Sequence, residues 1–392
     1  MHSNELFLYD IIVESARAQL VAQNDDGSMP PGINGPWRDM DTPVRNTAHW
    51  ALLLYKAYDI SKESIFLKAA LSACDYLKSE KTRPYKASFL CLLTKDRPPE
   101  NGLIGQAWAI EPLIFIGREL KRRDYLEIAE EVLLKHNYEP TLHLWYNLNI
   151  DGEVGMINPT FNQQLWFATM NLILGKEINN KILILRARDF FNNLTKNLIF
   201  LEPGLIRHCL PIYAIYTNSI YKWRKFIEVK FFNMPEYKSF NLEVLYNRSI
   251  GYLPFNLYVL ALGYSNIPNE NWWKNKHLIN IISRILAYVQ DEKFINKSFI
   301  NQYAWSYNPF GFEIAYALYI FQNLTNNIRP LDALKSWVEL QLQKHWDLSS
   351  NLMDQNSFDP KTLAARLYEV IRLPNFKLSI NNEELKNVPG PN

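Results

Sequence analysis

The segment DTPVRNTAHW brings Arg45, Asn46 and His49 close together. On a helix, offsets of three and four residues share a side, so a guanidinium, an amide and an imidazole would face one way. Such a set binds anions, holds hydroxyls and moves protons. NGLIGQAWAIEPL adds Gln106 and Trp108 at the same level, with Gly102 and Gly105 permitting close backbone approach. NPTFNQQLW adds Asn162, Gln163 and Trp166. The remaining polar or aromatic candidates are Trp37, Arg38, Asp39 and Asp41; Asp151 and Glu153; Arg207 and His208; Arg248 and Tyr252; and Tyr303, Trp305, Tyr307 and Glu313. Taken singly, each has an ordinary explanation: Asp41 as a helix cap, Asp151-Gly152 as a turn, Glu313 as a complement to a helix dipole. They gain chemical meaning only if the fold brings them together.

The elements that must do so are helices. Apolar residues recur at helical spacing in about a dozen segments, whereas alternating strand patterns are nearly absent. The spacing predicts helices over 4–22, 42–58, 61–79, 102–121, 123–135, 160–175, 178–195, 249–264, 270–290, 309–325, 330–347 and 360–371. Short links such as YDISKES follow the even-numbered members, while long stretches rich in Gly, Pro, Asn and aromatics precede them. Asp41-Thr42-Pro43, Asn158-Pro159, Asn308-Pro309 and Asp359-Pro360 are predicted to cap and start those even helices. The result is a helix hairpin of about 50 residues repeated about six times.

Even helices such as GYLPFNLYVLALGY are apolar nearly all round, and odd ones such as RRDYLEIAEEVLLKH are amphipathic. Even helices therefore belong inside and odd ones outside, which predicts an all-α, closed (α/α)6 barrel. One domain over 1–380 is expected, with a long insertion or lid at 196–248 and a frayed tail at 381–392. In such a ring the inner helices start at one mouth, where free N–H groups favour anionic ligands.

Composition narrows the partners. Lys plus Arg number 42 against 40 Asp plus Glu, so the chain lacks the electrostatic footprint of a nucleic-acid binder. Aromatics make up 14%, more rings than packing alone requires, as sugar-binding clefts use. Cys74, Cys91 and Cys209 are scattered without a CxxC, which argues against a disulfide frame or a zinc cluster. No dinucleotide, P-loop, HExxH or GxSxG motif occurs, so no cofactor and no metal are expected. The amphipathic N-terminal segment has no apolar leader, and no long apolar run spans a membrane, which reads as soluble and cytoplasmic.

The segments GPWRDMDTPVRNTAHW, NGLIGQAWAIEPL and DGEVGMINPTFNQQLWFA resemble those of AglQ-type proteins of glycan-assembly loci, within the six-hairpin glycosidase-like superfamily of (α/α)6 toroids. Gln163 stands where similar stretches read FNHQLW. GQAWAI is also similar to a stretch in unsaturated glucuronyl hydrolases. The resemblance implies action on a glycan, often one containing a uronic acid. Related toroids include polysaccharide lyases, in which Arg and amides neutralise the uronate while His and Tyr move protons. Carried over, this makes Arg45, Asn46, His49 and Tyr307 the catalytic set and the other mouth residues the binding set. The expected function is a polysaccharide lyase performing β-elimination at a uronate of an anionic oligo- or polysaccharide. A glycoside hydrolase using paired carboxylates, a uronyl C5-epimerase and a non-catalytic glycan binder are the alternatives.

Overall fold

The computed structural model describes residues 6–94, 97–210, 242–325 and 330–379. Of the insertion expected at 196–248, residues 211–241 lie outside the described residues, as does the tail 381–392.

Twelve of the described helices build the fold: α1 (Leu8–Gln19), α2 (Val44–Ser61), α3 (Ser64–Lys78), α4 (Gly102–Glu119), α5 (Arg123–Lys135), α6 (Phe161–Glu177), α7 (Lys181–Asn192), α8 (Leu242–Asn266), α9 (Lys276–Val289), α10 (Gly311–Phe321), α11 (Pro330–His345) and α12 (Pro360–Ala365), the last running on into a 3-10 turn over Arg366–Val370. Among the even members α2 packs on α4, α4 on α6, α6 on α8, α8 on α10, and α10 and α2 on the α12 segment. The chain thus closes an inner ring of six, with the odd helices outside it. Burial follows the sequence pattern: every residue of α6 from Gln164 to Gly175 is buried, whereas α5 buries Tyr125, Ala129, Val132 and Leu133 along one stripe. Trp50, Trp145, Trp166, Tyr258, Tyr316 and Tyr368 are fully buried. Removing roughly 150–250 Å² of such a ring from water contributes about 4–6 kcal/mol at about 25 cal/mol/Å².

Short antiparallel hairpins, which the alternation pattern did not reveal, occupy the long links into the inner helices. They are β1–β2 (Ile33–Asn34, Asp39–Met40) before α2, β3–β4–β5 (Tyr138–Glu139, Leu144–Leu148, Val154–Ile157) before α6, β6–β7 (Phe200–Leu201, Leu205–Ile206) before α8, and β8–β9 (Trp346–Asp347, Leu352–Met353) before α12. Most of these strands are two residues long, too short to carry a period-two signature, and the five residues of β4 do not alternate between buried and exposed. Glutamines tie some of these links to the helices. Gln164 accepts from the Trp145 amide (2.9 Å) and donates to the carbonyls of Trp145 (2.8 Å) and Asn158 (2.9 Å). Gln106 does the same for Phe89 and Glu100.

Two clasps close the ring. At the termini, Leu8 N donates to Phe376 O (3.1 Å) and Leu378 N to Leu6 O (2.8 Å). At the mouth, α2 is fastened to the N-terminus of α12 through Asp359 and Thr362. Of the four expected caps, only Asp359 caps its helix, accepting from Thr362 N at 3.2 Å. After the other three motifs the helices start later, at Val44, Phe161 and Gly311. There the side chain has another partner: Asn158 accepts from Thr160 N (2.9 Å), Asn308 pairs with Arg366, and Asp41 pairs with Arg45. A proline fixes only its own φ, so one further extended residue can separate it from the helix.

Candidate functional site

The first turns of α2 bind protein before they can bind anything else. Arg45 forms an ion pair with Asp41, approaches Asp359 at 3.4 Å, and donates to Thr362 Oγ1 (3.0 Å) and Ile33 O (3.1 Å). Asn46 donates to Pro30 O (2.9 Å) and accepts from Thr362 Oγ1 (3.1 Å). Thr47 accepts from Met29 N (2.8 Å). These residues strap the 29–34 segment across the mouth and hold the two ends of the ring together. Burial raises Asp41 to about 6 against the pull of Arg45.

One turn deeper, His49 is different. Its ring stacks on Tyr368 (centroids 4.2 Å apart, 14° between planes) and meets Trp108 edge-on at 5.6 Å. It is 4% exposed, and neither ring nitrogen has a hydrogen-bond partner. Burial, followed by the nearby guanidiniums of Arg45 and Arg366, pushes its pKa well below the usual imidazole value, so it is neutral.

His49 belongs to a floor of rings across the barrel axis. Trp108 meets Trp166 at 6.3 Å, Trp166 meets Tyr258 at 5.8 Å, Tyr258 meets Tyr368 at 6.4 Å, and Tyr368 returns to His49. Phe255 packs on both tryptophans. Beyond Phe255 lies Tyr252 (6.3 Å), on which His208 stacks at 4.7 Å. Burial and a hydrogen bond with Tyr307 raise the Tyr252 phenol well above its usual value. Tyr307 in turn presses on Gly35, whose positive φ and contact with that ring leave no room for a side chain. Trp37 and Tyr303 pair at 6.0 Å, with Arg248 over both rings and Arg97 over Trp37 at 4.1 Å and beside Asp39 at 3.0 Å.

Several polar atoms in this space are buried without a partner: both nitrogens of His49, Nδ1 of His208, Oδ1 of Asn162 and Nε1 of Trp108. Each buried, unmade hydrogen bond costs about 1–3 kcal/mol. A group of them around one axis is what a polyhydroxylated ligand would satisfy.

The carboxylates nearby are held by arginines. Arg366 binds Glu313 (2.7 Å) and Glu369 (2.8 Å) and also pairs with Asn308. Arg372 binds Glu111 (2.8 Å) and Tyr258 (2.7 Å). Burial raises Glu313 to about 7 and Glu369 well above its usual value, Arg366 opposing both. Glu313, in the first turn of α10 as the dipole reading expects, is also the buried partner of a core arginine.

Of the remaining residues singled out in the sequence, Gln106 uses both ends of its amide on backbone groups, and Gln163 accepts from Asn158 (2.8 Å) and from Ile104 N (3.3 Å). Arg207 is half-buried next to His208. Arg38 is exposed on the rim in a left-handed conformation. Asp151 and Glu153 are exposed at the β4–β5 turn, and Trp305 is buried with its Nε1 donating to Ser298. Sequence reading missed Arg366, Glu369, Arg372, Tyr368 and Glu111. The available signal was ARLYEVIR, which sets Arg366, Glu369 and Arg372 three apart in an otherwise apolar inner segment. Among the described residues no group of three His, Cys, Asp or Glu could hold a metal ion. No described helix is long and apolar enough to cross a membrane.

No family model matches the chain. It is 33% identical over 381 residues to archaeal glycosylation protein Q of Haloferax volcanii, covering 95% of this chain and 99% of that protein. Its fold is similar to that of a D-mannose isomerase (TM-score 0.60, 13% identity, 94% of this chain and 97% of the other). It is equally similar to the cellobiose 2-epimerase of Bacillus thermoamylovorans (TM-score 0.61, 12% identity, 93% and 98%). Similarity along nearly the whole length of both chains, on a closed ring of six helix hairpins, shows that this protein belongs to the AglQ-type family of six-hairpin glycosidase-like (α/α)6 toroids.

Proposed function

We propose that the protein is a carbohydrate-processing enzyme that moves a proton at a sugar carbon next to a carbonyl or carboxylate, as a sugar isomerase or epimerase of glycan assembly. His49 carries this reading: a buried, neutral imidazole with neither nitrogen partnered, set near the guanidiniums of Arg45 and Arg366. A neutral imidazole is the form that accepts a proton.

The carboxylates support it from the other side. Hydrolysis requires one carboxyl as acid and another as base or nucleophile across the scissile bond. Here Asp41 and Asp359 lie on Arg45, Glu313 and Glu369 on Arg366, and Glu111 on Arg372, whereas Glu100, buried just before α4 with Oε2 unpartnered, is a single carboxyl without a second one free across from it among these. The relative's role in glycosylation and the isomerase and epimerase among similar folds agree with this reading. A hexuronate falls within the substrate class, because its carboxylate acidifies the neighbouring carbon. Arg45 and Arg366 already hold two carboxylates each, so a substrate carboxylate would lie towards Arg207 and His208. β-Elimination at a uronate shares the first step and differs in its product.

The test is incubation in D2O with D-glucose, D-mannose, D-fructose, cellobiose and D-glucuronate, followed by proton NMR of the carbon beside the carbonyl or carboxylate. Deuterium should enter at least one sugar, and His49→Asn should abolish it. An unsaturated product from a uronate-containing oligosaccharide would make the protein a lyase. New reducing ends without deuterium would make it a hydrolase. No exchange in any sugar refutes the proposal.

A further inference from the structure

Proton abstraction from a sugar needs more than a base, because the carbonyl oxygen gains charge as the proton leaves and something must meet it. Arg45 and Arg366, near His49, are engaged with carboxylates. We propose that His208 is the electrophile: a neutral imidazole whose ring N–H donates a hydrogen bond to the substrate carbonyl oxygen opposite His49. This rests on the proton-transfer reading and assigns the second half of its chemistry.

Placement comes first. In ring order α2 and α8 are opposite members, each separated from the other by two inner helices on either side. His49 is on α2, and His208 lies between the starts of α6 and α8. A relay of ring contacts joins the two across the floor: His49 to Trp108 (5.6 Å), Trp108 to Phe255 (5.9 Å), Phe255 to Tyr252 (6.3 Å) and Tyr252 to His208 (4.7 Å). A sugar resting on Trp108 and Phe255 would therefore have one imidazole at either side.

Rigidity comes second. The backbone of His208 is fixed at both polar groups: its N–H donates to Ser249 Oγ (2.9 Å) on α8, and its carbonyl accepts from Phe161 N (2.9 Å) at the start of α6. Leu210 N donates to Pro159 O (2.9 Å), and Cys209 bridges Thr160. The ring is held on Tyr252, which is itself held by Tyr307. Yet Nδ1 is buried with no partner. A side chain so firmly positioned with an unused ring nitrogen fits a group kept for a ligand. Burial, with Arg248 adding to it, pushes this imidazole down to about 3, which keeps it neutral. A neutral imidazole N–H is a hydrogen-bond donor that leaves no net charge in the resting site.

The step balances without a co-reactant. His49 takes the proton from the carbon beside the carbonyl, and the electron pair of that C–H bond forms a C–C double bond. The carbonyl π electrons move onto the oxygen hydrogen-bonded to His208, giving an enediolate. His49 returns its proton to the former carbonyl carbon, and the neighbouring hydroxyl proton passes to the former carbonyl oxygen. The product is the isomeric hydroxycarbonyl sugar.

The test uses two His208 variants and two readouts. His208→Gln keeps a neutral donor, whereas His208→Phe keeps the stacking on Tyr252 and removes the donor. In the D2O exchange assay the rate constant at saturating sugar should fall at least 100-fold in H208F and recover at least 10-fold in H208Q, with thermal midpoints unchanged or raised. Equal loss in both variants with lowered midpoints would make His208 a packing residue and overturn the assignment. The second readout needs no turnover: the infrared C=O stretch of dihydroxyacetone bound to the protein. It should move to lower frequency with wild type and return towards the free value with H208F. A stretch identical in wild type and H208F overturns the assignment. Should no sugar exchange while the stretch responds to His208, the electrophile stands and the proton-transfer reading falls.

Discussion

Replacing His49 with Phe should make the protein more stable while abolishing its chemistry, and the size of the effect follows from the site. Phe keeps the stack on Tyr368 at 4.2 Å and the edge contact with Trp108 at 5.6 Å. It removes two buried, unpartnered nitrogens, at about 1–3 kcal/mol each, against overpacking of about 1–3 kcal/mol from the larger ring. Taking the middle of each range, about 4 against about 2, the net gain at pH 7.5 is about 2 kcal/mol. For 392 residues at about 2.1 cal/mol/K each, the unfolding entropy is about 0.8 kcal/mol/K, so the midpoint rises about 1–3 °C. Acid makes a sharper version. The folded imidazole is pushed well below 6.5 and the unfolded one is not, so below 6.5 the unfolded chain binds a proton that the folded site refuses. Stability from this group is therefore complete above 6.5 and declines as pH falls, by up to about 1.4 kcal/mol per unit. Between pH 7.5 and pH 5 the advantage of H49F over wild type should grow by up to about 2 kcal/mol. Overpacking and the titration of every other group largely cancel in that difference. Urea unfolding of both proteins at the two pH values measures it. An H49F that is destabilised at both values by the same amount, or that retains exchange activity, would show that His49 is an ordinary core residue.

Other perturbations test the scaffold and the site. Asp359→Ala removes the partner of Ile33 N (2.9 Å) and Thr362 N (3.2 Å) and one of the two carboxylates on Arg45, so unfolding in urea should show a loss of about 3–5 kcal/mol, with Asp359→Asn losing less. Gln164→Ala leaves the Trp145 amide and the Asn158 carbonyl without the Gln164 side chain, while Trp145 O keeps Asn158 N (3.2 Å), which should cost about 2–4 kcal/mol and speed hydrogen exchange at the Trp145 amide; protection equal to wild type would contradict the clamp. Because His49 stays neutral, kcat/KM should show no limb near 6.5 as pH is lowered from 8 to 6. A limb near 7 would instead point to a buried carboxyl, Glu313 or Glu100, both of which burial raises to about 7.

Local sequence determined the helices and their sorting into layers. Whether a helix is apolar all round or along one stripe is written in its own residues, as in α6 and α5, and that difference alone separates an inner from an outer ring. It also pointed to the mouth, because Arg45, Asn46 and His49 are polar in a helix that should be buried. What these three do was decided by tertiary structure. Arg45 and Asn46 meet Asp359 and Thr362 more than 300 positions away, which makes them part of the clasp of the ring. His49 meets no polar partner, which is why the proposed proton transfer is placed there. Equally, the spacing of Arg366 and Glu369 was legible, but no local pattern shows that Arg366 would also meet Glu313 or that Arg372 would meet Glu111. Hydrophobic period is a property of neighbours in the chain. Charge compensation in a core depends on which neighbours closure of the ring supplies.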